Sequence, residues 1–541
     1  MSNVSTGDAR FVKIEVNNVK SRILFDPAVY NDEFQACMYA ADNKLSFLLP
    51  NAIQNQNYNT ILSDGSRKWD GKKHLLNPYL HTKYSLQPFE FFTGKIRLVL
   101  EILLRHGYKP QLDDKRIRPV LNENVWQWNP KYALRDYQEE VVARAVKVGR
   151  GLCKMATGAG KTQVGAGIIH RLGVSPTIFL VTTKDLMYQA QKRFEDSLLM
   201  PIGIVGDGHC EIKDVNVCTI QTCAMAFGKE EEFIEQCKAF KTVSEDELDL
   251  KEEKVSSDKY ENIRNLVRGA KLVIFDEAHH VASDSCSMIL ELCESAFFRF
   301  ALGATIQRDD GLDPIIEALF GDYISDVSAS FLIKKGYLIP PHIYLIPVSK
   351  YLGECETYAS EYKQYIAENE FRNEIIVKLA GEAIKAKMPT LILVKHIKHG
   401  DVLQKAIPGS VFIQGSVSGK KRTELIQKVR DRELCCIIAT SLADEGLDII
   451  CLECLILGGS GKSIVKAMQR VGRVLRPDYD NPKKRAIVYD FIDLPRILHH
   501  HSLSRKKIYL TEPEFHIYDF RYKKHMSEAA KNTKDLFEES D

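Results

Sequence analysis

Short apolar runs alternate with helical patterns along most of this 541-residue chain. Each run is too short for a helix and lacks the polar alternation of a half-exposed strand, so it predicts a strand buried on both faces of a parallel sheet. The runs are TIFLVTT (177–183), KLVIFDE (271–277) and FALGAT (300–305), followed by TLILVKH (390–396), SVFIQG (410–415), CCIIAT (435–440), CLILGG (454–459) and AIVYDF (486–491). Helical spacing between runs, as in KDLMYQAQKRFED, predicts an α/β fold with two tandem doubly wound parallel-sheet domains.

The rest of the chain differs from these two series. The first part combines alternating runs such as RFVKIEV with a helical pattern at 91–109, which predicts a small α+β domain. Residues 229–268 are rich in acidic and basic side chains, which predicts a solvated helical insertion, with a partner-binding segment as the alternative. The predicted segments are the accessory domain 1–125, the first α/β domain 126–335, the second α/β domain 336–500 and a tail, 501–541.

The composition is that of a water-soluble protein. No run of 18 or more apolar residues occurs, and the N-terminus MSNVSTGDARF lacks the apolar core of a signal peptide. The formal net charge is +2, so attraction to a polyanion must come from local patches. Most of the 13 cysteines lie in apolar segments, where a reduced thiol behaves as a small hydrophobe. We expect an intracellular, cytoplasmic monomer without a membrane partner, in a phage, viral or bacterial context.

A glycine-rich segment, CKMATGAGKTQVG, has the order of a phosphate-binding loop. Gly158 and Gly160 let backbone N–H groups turn toward oxyanions at the start of a helix. Lys161 is placed to neutralise the β- and γ-phosphates, and the hydroxyl of Thr162 is placed to bind Mg²⁺. Met155 stands where the strict pattern has glycine.

Two adjacent carboxylates follow the predicted strand in VIFDEAHH. Carboxylates at the end of a buried strand are costly unless they serve a cation or a proton transfer. Asp276 is suited to hold Mg²⁺ through its water shell, and Glu277 to orient and deprotonate an attacking water. The alternative is a pair that complements the dipole at a helix N-terminus.

Arginines recur every third residue in QRVGRVLRP, as Arg470, Arg473 and Arg476. Like charges on adjacent turns repel unless an anion faces them. A positioned arginine can accelerate phosphoryl transfer by roughly 10³–10⁵, so Arg473 and Arg476 are candidates to reach a γ-phosphate from the second domain. The alternative is that the arginines bind nucleic-acid phosphates directly.

The order of these motifs resembles that of a superfamily-two helicase. The matching segments are LRDYQEE (134–140), MATGAGKT (155–162), VTTKDLMYQ (181–189), TIQT (219–222), DEAH (276–279), GAT (303–305), ATSLADEGLDI (439–449) and QRVGRVLR (469–476). In this superfamily the first glycine of the phosphate loop is often replaced, which accommodates Met155. The resemblance implies two RecA-like domains that use ATP and Mg²⁺. It also implies further nucleotide-binding residues: Arg135, Gln138 as the adenine reader, Thr157, Ala159, His279, Gly446, Asp448 and Gln469.

Threonines at predicted strand ends are the candidate nucleic-acid contacts. Thr183, Thr222 and Thr440 lie where such sheets present ligands, although each could instead cap a helix. Arg308 begins an Arg-Asp-Asp triplet that resembles the Arg-Glu-Asp triplet of XPB-type repair and transcription helicases. Trp69, within a segment similar to the start of the phage helicase UvsW, could stack on a base or could be a buried structural residue.

The resemblance therefore implies a DNA helicase or translocase with 3′-to-5′ polarity. Its expected partner is single-stranded, forked or junction DNA, in recombination or repair by branch migration or reannealing. Two alternatives remain open at this point: an RNA-directed or transcript-release helicase, and a nucleotide-gated binding subunit that does not unwind.

Overall fold

The computed structural model divides into two compact units by its contacts. The first comprises residues 1–155 and 160–326, and the second comprises 156–159 and 327–541. The structure describes residues 10–24, 26, 29–49, 52, 60–61, 70–122, 126–228, 257–306, 311–348, 352–414, 417, 419–440, 449–459, 461, 463–478 and 480–521. Within these ranges, no helix has the length and apolar character that crossing a bilayer requires.

The first unit begins with an α+β segment. Its strands are β1 (Arg10–Val16), β2 (Lys20–Ile23), β3 (Phe47–Leu48), β4 (Lys72–Lys73), β5 (Glu90–Phe92) and β6 (Tyr108–Asp114), and its helices are α1 (Asp32–Leu45) and α2 (Ile96–Arg105). Four strands form a sheet in the order β5-β2-β1-β6. The helix predicted at 91–109 is shorter in the structure because its first residues pair with β2 and its last residues pair with β1.

This α+β segment packs against the parallel-sheet part of the same unit. Gly94 lies so close to that part that a Cβ atom there would be 2.2 Å from the main-chain oxygen of Glu317. Lys95 forms an ion pair with the Glu317 carboxylate, and Lys20 Nζ lies 2.8 Å from Glu291 Oε2. Arg150 donates to the main-chain oxygen of Asn18. Main-chain contact and charge pairing thus hold the two parts together.

The parallel-sheet part of the first unit has eight strands. They are β7 (Arg150–Met155), β8 (Thr177–Val181), β9 (Gly203–Gly206), β10 (His209–Glu211), β11 (Val215–Thr219), β12 (Leu272–Asp276), β13 (Phe298–Gly303) and β14 (Tyr323–Val327), in the order β10-β9-β11-β8-β12-β13-β7-β14. The helices are α3 (Asp136–Val148), α4 (Lys161–Leu172), α5 (Lys184–Leu198), α6 (Ile220–Phe227), α7 (Ser257–Gly269), α8 (Asp284–Leu292) and α9 (Asp313–Phe320). Every residue of β8, β12 and β13 is buried, as the uninterrupted apolar runs predict, and β11, for which the sequence analysis predicts no run, is also buried throughout.

Part of the predicted insertion 229–268 belongs to the core. Residues 229–256 lie outside the described residues, but α7 buries Ile263, Leu266 and Val267. The prediction of a solvated segment is wrong for this helix. Its three apolar residues have helical spacing, and the surrounding charged residues obscure that pattern in the sequence.

The second unit contains a seven-stranded sheet. Its strands are β15 (His342–Pro347), β16 (Thr390–Val394), β17 (Ser410–Ile413), β18 (Cys436–Thr440), β19 (Cys454–Ile456), β20 (Ile487–Ile492) and β21 (His516–Asp519), in the order β17-β18-β16-β19-β20-β15-β21. Its helices are α10 (Ala329–Lys334), α11 (Tyr358–Tyr362), α12 (Glu370–Lys385), α13 (Ile397–Ala406), α14 (Gly419–Arg430), α15 (Ile464–Val474) and α16 (Arg496–Tyr509). All its strand pairs are parallel, which confirms the predicted class of two parallel-sheet α/β domains.

The predicted tail 501–541 begins inside this unit. Residue 501 lies in the middle of α16, and β21 pairs with β15 at the edge of the sheet. Arg505 binds Asp490 of β20 through two hydrogen bonds, of 2.8 and 2.9 Å. Up to residue 521, the segment is therefore part of the second α/β domain, and the residues beyond 521 lie outside the described chain.

Candidate active site

The phosphate loop joins β7 to α4. Lys161 is the first residue of α4, and Gly158 and Gly160 have φ angles of 86° and 77°, which L side chains rarely adopt. A Cβ atom on Gly160 would lie 2.5 Å from Nε2 of Gln138. Glycine is therefore required here by both backbone conformation and space. Met155, which stands where the strict pattern has glycine, is the last residue of β7 and its side chain is fully buried.

The two adjacent carboxylates lie at the end of β12, which is two strands from β7 in the sheet. Asp276 is the last residue of the strand, and Glu277 has a left-handed backbone with φ of 56°. Lys161 Nζ lies 3.6 Å from Glu277 Oε1, and His279 Nδ1 lies 3.6 Å from the other carboxylate oxygen. Strained backbone of this kind clusters at functional sites. The fold thus brings together a lysine and a glutamate that are more than a hundred residues apart in the sequence.

The pKa values of Asp276 and Glu277 are shifted in opposite directions. Burial, and then the charge of Glu277, raise the pKa of Asp276 to about 7. For Glu277, burial acts to raise the pKa, but Lys161 and the two following histidines outweigh it and the pKa is lowered. Neighbouring acids with pKa values moved apart are typical of sites where the two groups have different roles.

The oxygen atoms present fit a magnesium ion that takes further ligands from a bound phosphate. Thr162 lies in the first turn of α4, and Asp276 is 8% exposed. Among the described residues, no group of three or more His, Cys, Asp or Glu side chains could hold a metal ion. Mg²⁺ commonly takes one or two protein oxygens and completes its shell with water and substrate phosphates, so the small donor set is compatible with it.

The expected adenine-reading residues lie at the start of α3. The main-chain N–H of Arg135 donates to Gln138 Oε1 over 3.0 Å, as part of a capping box. Gln138 is 4% exposed, with its amide against Gly160 of the phosphate loop. The structure therefore places Gln138 beside the predicted nucleotide site and also gives it a capping role that the sequence analysis did not anticipate.

The arginine motif lies in and just after α15. Gln469 and Arg473 are helical, whereas Arg476 lies beyond the last helical residue, Val474. Arg470 is 6% exposed, while Arg473 and Arg476 are partly exposed. The three arginines are consequently not equivalent, because one belongs to the interior of the second unit.

Gly472, inside the same motif, was missed as a site residue. By its contacts the turn Ala156–Ala159 belongs to the second unit, and a Cβ atom on Gly472 would lie 2.4 Å from Cβ of Thr157. The fully buried Ala159 closes this turn through a hydrogen bond from its N–H to the oxygen of Ala156. A glycine inside a helix costs about 1 kcal/mol relative to alanine. A glycine within a helical pattern is therefore the feature of the sequence that could have indicated such close packing.

The three candidate threonines have different environments. Thr183 caps α5, since its hydroxyl accepts from the N–H of Leu186 over 3.3 Å. The prediction that Thr222 lies at a strand end is wrong, because β11 ends at Thr219 and Thr222 lies in the first turn of α6, where its hydroxyl accepts a hydrogen bond from Thr219 over 2.9 Å. Within the described chain, the buried hydroxyl of Thr440 at the end of β18 has no hydrogen-bond partner. Four further candidates lie outside the described residues: Trp69, Arg308, Gly446 and Asp448.

These features define a P-loop nucleotide hydrolase with two α/β domains. A phosphate loop precedes a helix, a paired lysine and glutamate lie at the carboxyl ends of the strands of the first sheet, and the second domain carries the arginine motif.

Comparison with known proteins gives the family. Residues 131–308 match the model described as "Type III restriction enzyme, res subunit", and residues 372–478 match the helicase conserved C-terminal domain. The chain belongs to the superfamily-two helicases, which confirms the resemblance seen in the sequence.

Several curated proteins are similar to most of the chain. It is 27% identical over 397 residues to the DNA 3'-5' translocase XPB2 of Sulfurisphaera tokodaii, covering 64% of this chain and 79% of that protein. It is 25% identical over 397 residues to the DNA 3'-5' helicase XPB of Mycobacterium tuberculosis, covering 71% of this chain and 65% of that protein. The chain thus spans slightly less than two thirds of the mycobacterial relative.

Solved structures with related folds include phage and bacterial helicases. The crystal structure of T4 UvsW is 18% identical, covers 94% of this chain and 98% of its own, and gives a TM-score of 0.41. The helicase Lhr of Mycobacterium smegmatis, solved with single-stranded DNA and AMP-PNP, is 15% identical, covers 72% and 50%, and gives a TM-score of 0.46.

Proposed function

We propose that this chain hydrolyses ATP to move along DNA in the 3′-to-5′ direction and acts as a monomer on forked or branched DNA. The observation that carries the proposal is the pairing of Lys161 with Glu277 beside a helix-opening glycine loop. DNA as the track, and the polarity, are supported by the names of the curated relatives. The preference for branched DNA rests on the resemblance of the N-terminal segment to the phage helicase UvsW.

In this proposal the first domain performs the hydrolysis. Gly158, Gly160 and Lys161 hold the phosphates, with the N–H groups at the start of α4 directed at them. Glu277, whose pKa is lowered, stays ionised near neutral pH and accepts a proton from the attacking water. Thr162 and Asp276 would hold Mg²⁺, which would offset the negative charge of the phosphates when bound. The remaining proposed nucleotide contacts are Arg135, Gln138, Thr157, Ala159, His279, Gly446, Asp448 and Gln469.

The second domain supplies positive charge to the reaction. Arg473 and Arg476 are proposed to stabilise charge on the transferred phosphoryl group, an effect worth roughly 10³–10⁵ in rate where it has been measured for positioned arginines. This role is supported by the partial exposure of these two side chains, in contrast to the buried Arg470. ATP binding and hydrolysis would then change how the domains engage each other, and so produce movement.

The DNA strand is proposed to lie along threonines at element ends. Thr440 is the strongest candidate because a buried hydroxyl without a hydrogen-bond partner in the described chain is costly unless a ligand satisfies it. Thr183 and Thr222 would contribute through phosphate contacts that carry no sequence information. Arg308 and Trp69 stay predictions from the sequence.

The test is ATP-dependent unwinding of a matched set of substrates. Forks, four-way junctions, 3′- and 5′-tailed duplexes and RNA–DNA hybrids would be compared, with ATPase rates measured at several salt concentrations. We expect stimulation by DNA that weakens with salt, unwinding of 3′-tailed duplexes, and no activity in Lys161→Ala. Because Lys161→Ala removes phosphate binding and leaves the proposed DNA contacts intact, it separates hydrolysis from DNA binding.

Three results would redirect the proposal. Equal ATPase rates with and without nucleic acid would contradict a translocase. Stronger stimulation by RNA than by DNA of the same sequence would favour an RNA-directed helicase. Full activity in a cellular assay with Glu277→Gln would favour a nucleotide-gated binding subunit, because turnover would then be dispensable.

A further inference from the structure

A buried lysine holds the end of the arginine motif in the second unit. Lys484 is 6% exposed, and its ammonium group donates to the main-chain oxygens of Arg476 and Ile450, each over 2.5 Å. Within the described chain these hydrogen bonds go to main-chain oxygens and not to a carboxylate. Because charge-assisted hydrogen bonds are about twice as strong as neutral ones, the ammonium fixes the position of both segments.

The two residues held by Lys484 lie in or next to the helicase motifs. Arg476 lies two residues beyond Val474, the last residue of α15. Ile450 directly follows the segment ATSLADEGLDI. A second restraint acts next to the arginine, since Ile339 donates its N–H to the oxygen of Leu475 over 2.8 Å. Lys484 is thus the side chain that ties the path of Arg476 to the end of another motif.

Lys484 is not buried as one partner of a simple ion pair with the acidic groups around it. Burial lowers the pKa of Lys484 to about 8; Asp478, Glu453 and Cys451 act to raise this pKa but do not compensate, and the charge of Arg476 lowers it further. Glu453 itself accepts hydrogen bonds from Arg432 and Asn481. A buried ammonium is costly, and a methionine of similar length would fill the same space without that cost. We therefore expect the positive charge of Lys484 to have a role, which is to hold in place the two main-chain oxygens that it binds.

We propose that Lys484 is a positioning residue for ATP hydrolysis, which holds Arg476 in the place from which its guanidinium acts on the phosphoryl group and links it to Ile450, the residue that follows the segment ATSLADEGLDI. This inference rests on the proposed function of Arg476. It extends that function to a residue outside the helicase motifs.

The first experiment compares kcat and KM for ATP, at saturating DNA, among substitutions of neighbouring lysines. Lys484→Met removes the ammonium at similar length, Lys484→Arg keeps a charged donor, and Lys483→Met alters the adjacent exposed lysine. Displacement of a catalytic group by about 1 Å can cost roughly a hundredfold in rate. We expect Lys484→Met to lower kcat by about tenfold to a hundredfold, with KM changed much less, Lys484→Arg to recover most of the loss, and Lys483→Met to match the unaltered protein.

A double substitution separates this inference from the proposed function. If Lys484 acts through Arg476, then Lys484→Met adds no further loss to Arg476→Ala. Activity retained in Arg476→Ala would contradict the proposed role of the arginine itself. A large loss in Arg476→Ala together with kcat within about twofold of normal in Lys484→Met would overturn the inference about Lys484 alone.

The pH profile provides a measurement on the unaltered protein, which is useful if Lys484→Met does not fold. As the pH rises through about 8, Lys484 loses its proton and its hydrogen bonds lose their charge assistance. We expect kcat of the unaltered protein to fall above this pH, and kcat of Lys484→Arg to hold, since arginine stays charged. Identical profiles for the two proteins would overturn the inference.

Discussion

Replacing Arg505 by methionine should destabilise the second unit more than any change on the exposed face of the same helix. Arg505 and Asp490 have side-chain exposures of only 2% and 1%, and two hydrogen bonds join them. The same guanidinium also donates to the main-chain oxygens of Gly461 and Phe491. Methionine fills similar space but leaves the Asp490 carboxylate buried, with Tyr509 Oη at 3.0 Å and the N–H of Phe491 at 2.8 Å as its remaining donors in the described chain.

The expected loss follows from this burial. Removing one partner of a buried ion pair costs about 3–5 kcal/mol, because an uncompensated charge stays in the interior. Because both side chains are almost completely buried, solvent does not screen their interaction, and this estimate of the lost stability is not reduced. For a domain of this size, each kcal/mol lowers the melting temperature by roughly 2–4 °C, so the second unit should melt about 6–20 °C lower.

Differential scanning calorimetry of the full chain would test this prediction. Lys507→Met, on the exposed side of α16, is the matched control and should stay within about 0.5 kcal/mol of the unaltered protein. The double substitution Arg505→Met with Asp490→Leu should recover more than half of the loss, since it removes the orphaned charge. A melting temperature within about 2 °C of normal for Arg505→Met would refute the reasoning.

Four further substitutions test the site and the packing of other parts of the fold. Glu277→Gln should lower the rate of ATP hydrolysis by about 10²–10⁴-fold while nucleotide binding persists, because the amide keeps the shape of the side chain but cannot accept a proton. Measuring kcat together with the equilibrium binding of a fluorescent ATP analogue would check this. Gly160→Ala should weaken ATP binding by at least about tenfold, since alanine is strained at a φ of 77° and its Cβ would lie 2.5 Å from a neighbouring amide nitrogen. In contrast, Gly381→Ala, in a helix where nothing lies within 4 Å of the added Cβ, should stabilise the protein by about 0.5–1 kcal/mol in the same thermal assay. Gly94→Val should loosen the N-terminal α+β segment and speed its limited proteolysis, because the clash at 2.2 Å is with a main-chain oxygen that cannot rotate away.

Much of the fold and of the hydrolytic site could be predicted because the signals are local. Uninterrupted apolar runs mark buried parallel strands, and β12 and β16 coincide with their predicted runs within one or two residues. The glycines of the phosphate loop and the adjacent carboxylates are constrained by chemistry that needs these residue types in this order. Their meeting in space follows from the rule that parallel strands present ligands at one edge of the sheet.

Other features could not be predicted because their partners are distant in the sequence. The strand β21 is four residues long, at a sheet edge, and nothing in HIYD distinguishes it from a loop until β15 is known to lie beside it. Arg470 and Arg476 look equivalent in the sequence, yet one is buried and the other lies past the helix end.

The sequence by itself determined that this chain builds two parallel-sheet domains and a glycine-rich loop at the start of a helix, because periodicity and residue chemistry act over a few neighbouring positions. Only the tertiary structure decided which charges are structural and which are available for chemistry. Arg505 is bound to Asp490, Lys484 to two main-chain oxygens, and Lys161 to Glu277. The physical reason is that the energy of a charge depends on its burial and on the groups around it, and both are set by parts of the chain far apart in the sequence.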